Sequence, residues 1–74
     1  MIDLEIMRLG YIASQKKKIE IGNYIIKFHR RKVKEKDYMY SIEVYFRGEL
    51  KHRGFFTEYQ NAVMYAGKIM YALL

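Results

Sequence analysis

The 74-residue chain is 51% hydrophobic, 16% aromatic and 30% charged, a composition that folds and a length that allows one small domain over residues 1–74. It has no cysteine and only two histidines, which excludes disulfides, thiol nucleophiles and the usual structural zinc sites. The net charge of +6 is uneven: residues 16–36 hold nine basic side chains and two acids (+7), the remainder five and six (−1), and such a concentrated field attracts phosphate backbones or acidic proteins.

Residues 1–16 carry two periodicities. Ile2, Leu4 and Ile6 alternate as in a strand, whereas Ile2, Ile6, Leu9 and Ala13 share one helical face. Asp3 as a cap and Lys16 to Lys18 at the far end favour a helix. Residues 18–21 are placed to pair across Gly22-Asn23 as an added edge strand. In residues 24–31, Tyr24, Ile26 and Phe28 fall on one face and Ile25, Lys27, His29 and Arg31 on the other. Residues 31–37 read as a charged loop capping a long hairpin. In residues 38–47, Tyr38, Tyr40, Ile42, Val44 and Phe46 alternate with Met39, Ser41, Glu43, Tyr45 and Arg47, the mark of strands with one buried side. Gly48-Glu49 is a turn, and residues 50–56 form a further strand whose phase depends on a bulge near Gly48.

The last helix is expected over 57–74. Thr57 and Gln60 have capping-box spacing and Glu58 suits the positive end of the macrodipole. Tyr59, Ala62, Val63, Ala66, Ile69, Met70 and Leu73 form one stripe, and Gly67 weakens the helix by about 1 kcal/mol relative to alanine. The expectation is an α+β domain, α-β-β-β-α, whose antiparallel sheet over 18–56 has three strands, or four if 18–21 pairs, and packs one face on the C-terminal helix.

Catalysis finds little support. Ser14 and Ser41 are the only serines and neither sits in a glycine-flanked elbow. His29 and His52 read as surface histidines on neighbouring strands, the carboxylates are scattered singly, and no glycine-rich phosphate loop is present. The chain reads as a non-enzyme with no cofactor and no metal. Binding finds more. The outward sheet face is expected to present Lys27, His29, Arg31, Tyr45 and Arg47, with Lys51 or Arg53 from the next strand, and cations beside planar rings suit phosphates and bases together. Arg30, Arg31 and Lys32 with Lys34 and Lys36 form a dense cluster on the inter-strand loop. The plain alternative for both is a solvated surface. On the last helix Met64, Lys68 and Tyr71 lie opposite the apolar stripe and suggest a partner or homodimer contact, unless the N-terminal segment covers that side.

The strand, the turn at Gly48, the strand ending Gly54-Phe55-Phe56, the Thr57 cap and the helix with Ala62 and Ala66 resemble the three-strand-plus-helix fold of AP2 domains and integrase N-terminal arm-binding domains. That resemblance covers residues 42–73 and implies a sheet face laid in the major groove, with Arg47, Lys51, Arg53, Lys27, His29 and Arg31 as reading positions. The element order is also similar to a double-stranded RNA-binding domain, but Tyr59, Gln60 and Val63 stand where that family has its lysine cluster, which disfavours duplex RNA. By class, a small chain dense in Ile, Lys and Tyr resembles phage-encoded accessory proteins such as anti-CRISPRs; its +6 charge rules out a DNA mimic. The expected function is nucleic-acid binding, DNA ahead of RNA. The alternative is an inhibitor or adaptor that binds a host protein or ribonucleoprotein. No apolar run reaches the roughly 20 residues of a membrane span and the acidic opening is unlike a signal peptide, so the expected location is cytoplasmic, in the host if phage-encoded, with no membrane partner.

Overall fold

A computed structural model describes residues 3–74; Ile2, expected on the first helical face, lies outside them. Helix α1 (Leu4–Lys16) starts where the Asp3 side chain accepts the Glu5 N–H at 2.9 Å and ends at Lys17, whose left-handed φ of 65° lets its N–H reach the Ala13 carbonyl. The chain then makes a meander of four antiparallel strands, β1 (Lys18–Ile21), β2 (Tyr24–Lys32), β3 (Tyr38–Phe46) and β4 (Glu49–Phe56), in the spatial order β1-β2-β3-β4. Helix α2 (Tyr59–Leu73) closes the fold. The residues 18–21 do pair, so the sheet has four strands.

Both helices lie on one face of the sheet. Alternation carries Ile26, Phe28, Ile42 and Val44 into the core, where they meet Leu9 and Ala13 of α1 and Ala62, Val63, Ala66 and Met70 of α2. Register places Ile26 opposite Val44 and Phe28 opposite Ile42, so the β2–β3 pair supplies the floor of the core. The helices run antiparallel and nearly touch backbone to backbone. A Cβ on Gly10 would collide with the Val63 carbonyl, and one on Gly67 with the Ile6 carbonyl. Gly67 is thus an element of packing, as close helix approach requires.

Several boundaries differ from the sequence expectation. The helix cap is Glu58, with no side-chain hydrogen bond, and not Thr57. The β4 ladder runs to Phe56 opposite Tyr40, the chain bends at Thr57 and Glu58, and Glu58 keeps extended dihedrals (φ −111°, ψ 130°), so the helix starts after Thr57 and the capping box never forms. Strand β2 continues to Lys32, which takes Arg30, Arg31 and Lys32 out of the loop and into the ladder opposite Tyr40, Met39 and Tyr38. Arg47 is not a strand residue: with φ of 51° it pairs with Gly48 at 81° in the β3–β4 turn, the two successive positive values of a type I′ hairpin. The bulge lies farther along than Gly48. Val44 faces His52 and Tyr45 faces Leu50, leaving Lys51 as the extra residue and turning Leu50 to the helix-free face. His29 and His52 stand on β2 and β4, separated by β3, on opposite phases. No helix among the described residues is long and apolar enough to cross a membrane.

Candidate nucleic-acid interface

Two helices on one face leave the other face of the sheet uncovered among the described residues. The odd-phase residues of β2 and β3 reach it, and cross-strand register arranges them in rows. One row runs Lys27, Glu43, Arg53; the next runs His29, Ser41, Phe55; Arg31 then stands beside Met39. Five of the expected residues, Lys27, His29, Arg31, Tyr45 and Arg53, therefore share this face.

Glu43 organises its centre. Arg53 Nη2 and Nε lie 2.9 and 3.0 Å from Glu43 Oε2, His29 Nε2 is 3.1 Å from Oε1, and the Tyr45 hydroxyl donates to Oε1 at 3.0 Å. The carboxylate side chain is only 14% exposed. Burial on the sheet pushes its pKa up, but hydrogen bonds from Tyr45, His29 and Arg53 together outweigh burial and hold it below the ordinary glutamate value. The same bond to Glu43, then burial, raises the Tyr45 phenol. Lys27 Nζ sits 4.9 Å from the Tyr45 ring centroid, a cation–π arrangement that fixes the ring.

Next to this network lies a hollow of about 170 Å³ walled by His29, Arg31, Met39, Ser41 and Phe55. Phe55 is 61% exposed, the most exposed of the large apolar rings on this sheet. Arg31 forms no ion pair among the described residues.

The remaining expected residues are dispersed. Arg30 and Lys32 point to the helix side of β2, and the Arg30 guanidinium rests 4.8 Å from the Tyr38 ring centroid. Lys34 and Lys36 are exposed in the tip, which Val33 N–H to Asp37 O (2.9 Å) and Asp37 N–H to Lys34 O (3.2 Å) hold closed. Arg47 lies over Phe46 at 5.2 Å, and Lys51 pairs with Glu49 at 3.5 Å, both away from the hollow's lining. On α2, Lys68 and Tyr71 are exposed while Met64 is half-buried, so the expected partner face loses its methionine.

Glu43, Met39 and Phe55 were not singled out as site residues by the sequence. Phe55 follows Arg53 by two residues and shares its phase, a signal that becomes usable once the bulge at Lys51 is known. No protein-family model matches the chain, and neither a curated protein nor a solved structure matches it.

Proposed function

We propose that this protein is a non-enzymatic nucleic-acid-binding module, for DNA ahead of RNA, that works through the helix-free sheet face and the basic β2–β3 hairpin. The observation that carries the reading is an exposed Phe55 ring beside an unpaired Arg31 in one hollow of an otherwise cation-bearing sheet. A ring of this kind stacks a base or sugar, while Arg31, Lys27 and Lys34 meet the flanking phosphates. Glu43 sets Arg53 and His29 in fixed positions and at the same time reduces the charge they offer, so affinity rests mainly on Lys27, Arg31 and the tip. The resemblance to AP2-type sheets points to the same face, but two of the reading positions it implies stand off it, Arg47 in the turn and Lys51 at the bulge.

The test is fluorescence anisotropy with labelled duplex DNA, single-stranded DNA and RNA across a salt series. Micromolar or tighter binding near physiological salt with a preference for one ligand is expected. Arg31→Ala with Lys34→Ala should reduce the log–log salt slope by about 1.4–1.8, and Phe55→Ala should cost about 1–3 kcal/mol for a stacked single strand. Binding confined to low salt, equal for all three ligands, would show the charge to be generic.

A second reading rests on the opposite end of the molecule. Tyr71 (56% exposed) and Leu74 (76%) close α2, and Leu4 (80%) opens the antiparallel α1. Apolar exposure there favours a protein partner, as an inhibitor or adaptor of the phage type would need. Tyr71→Ala should then abolish capture of that partner and leave oligonucleotide affinity unchanged.

A further inference from the structure

The helix side of the β2–β3 hairpin holds a cleft of about 420 Å³ that the sheet-face reading does not use. It lies where the C-terminal end of α1 and the first turn of α2 stop short of the hairpin. Its wall is aromatic: Phe28, Tyr40 and Tyr59 meet edge to face, with centroids 5.4 to 6.3 Å apart. The wall is also fixed in place, because the Tyr59 hydroxyl shares a 2.7 Å hydrogen bond with Ser14 Oγ. Ser14, Gln15 and two cations, Lys17 and Arg30, make up the rest of the lining, and no carboxylate takes part in it. Neither cation forms an ion pair among the described residues.

Lys17 is the informative residue. Its backbone has φ of 65°, the left-handed state that helix ends normally give to glycine because a side chain there is strained. Its N–H and carbonyl are both engaged, by the Ala13 carbonyl at 2.8 Å and the Phe28 N–H at 2.9 Å, so the strained position is held firmly. The lysine at this left-handed position puts an ammonium at the cleft. Arg30, seated on Tyr38, supplies a guanidinium whose N–H groups have no carboxylate to satisfy them.

We infer that this cleft binds a nucleoside phosphate, its base against the Tyr40 and Tyr59 rings, behind which Phe28 is buried, and its phosphate between Lys17 and Arg30. The volume falls within the range of small-molecule sites. Two cations set beside a planar apolar wall match a ligand that is flat at one end and anionic at the other. The source of the nucleotide is either the free mononucleotide or the phosphorylated end of a strand, which share this chemistry. The inference concerns a different face from the sheet interface and does not rest on it.

The experiment is an NMR titration of the full chain with AMP, adenosine, inorganic phosphate and phosphotyrosine, repeated on Lys17→Gly and Arg30→Gln. AMP is expected to shift Phe28, Tyr40 and Tyr59 resonances and to bind at least about tenfold tighter than adenosine or phosphate alone. Each variant should lose about tenfold in AMP affinity. Lys17→Gly relieves the left-handed strain, so it should not lower Tm, and a lost affinity there cannot be ascribed to unfolding. A 5′-phosphorylated oligonucleotide that displaces AMP identifies the strand end as the source; AMP binding without such competition identifies the free nucleotide. Adenosine binding as tightly as AMP, affinity unchanged in both variants, or phosphotyrosine binding where AMP does not, would overturn the inference. Because Phe55→Ala should leave AMP binding intact, loss of the cleft and loss of the sheet interface are separately visible.

Discussion

Glu43 shows how one carboxylate sets the behaviour of a basic surface. It accepts from Arg53, His29 and Tyr45 at once, and its pKa is lowered because those bonds outweigh the burial that opposes them. A carboxyl whose folded pKa lies below its unfolded value adds stability above the ordinary glutamate pKa, roughly 4.3, and that stability fades as pH falls through the lower folded value. Glu43→Gln should therefore cost about 1 kcal/mol at neutral pH, discounted for the solvent nearby. Its denaturation curves should converge on those of the parent as the pH falls through the acid range. The same substitution releases Arg53 and His29 from their shared acceptor. If the sheet face binds phosphates, oligonucleotide affinity rises by about fivefold at low salt; an unchanged anisotropy-measured affinity would place the interface elsewhere.

Among the elements, the helix pair is held by two glycines that each face the other helix's backbone. Gly10→Ala and Gly67→Ala both gain up to about 1 kcal/mol of helix propensity, yet each Cβ meets a carbonyl that cannot rotate away. Net destabilisation of about 2 kcal/mol or more is expected for either, read from urea midpoints. A neutral result would mean that the helices stand farther apart than described.

The elements themselves were largely readable. Alternation located β2 and β3, the Gly22-Asn23 and Gly48 turns separated the hairpins, and Asp3 with Lys16 marked α1, because these are local signals between residues close in sequence. What was not readable depended on partners far along the chain. Gly67 could be noted but its reason lies at Ile6. Arg47 and Arg53 looked equivalent, but the Phe46–Glu49 pair leaves Arg47 in a two-residue turn, and the extra residue at Lys51 shifts the register so that Arg53 meets Glu43. Arg30–Lys32 resembled a loop by charge alone, although the ladder opposite Tyr38, Met39 and Tyr40 continues through them. The aromatic cleft joins Ser14 and Tyr59 across 45 residues of chain, and no spacing rule reaches that far.

At the scale of the molecule, the protein is a slab of 37 × 31 × 18 Å with helices on one broad side and the open sheet on the other. The longer edges match about one turn of duplex, roughly 34–36 Å. One copy should then occlude about ten base pairs or fewer in a stoichiometric titration with DNA of graded length. A substantially larger site would require more than one copy per site, and sedimentation of the same mixtures would show it. The concentration of charge also becomes geometric here: the Phe28 N–H to Lys17 carbonyl bond brings the basic run 16–18 alongside the Arg30–Lys36 hairpin, so two stretches separated in sequence act as one pole.

The pairing of α1 with α2 has a further consequence during synthesis. Every sheet contact is between successive strands, so the meander is able to assemble as it leaves the ribosome, but α1 has no glycine-fitted partner until α2 follows. At the usual pace of translation the roughly 40 intervening residues take about 2–8 s. Each of Ile26, Phe28, Ile42 and Val44 lacks the cover of Ala62, Val63, Ala66 and Met70 from its own synthesis until α2 follows, and this is the time in which a nascent copy is most exposed to chaperones, proteases and its neighbours on the same message.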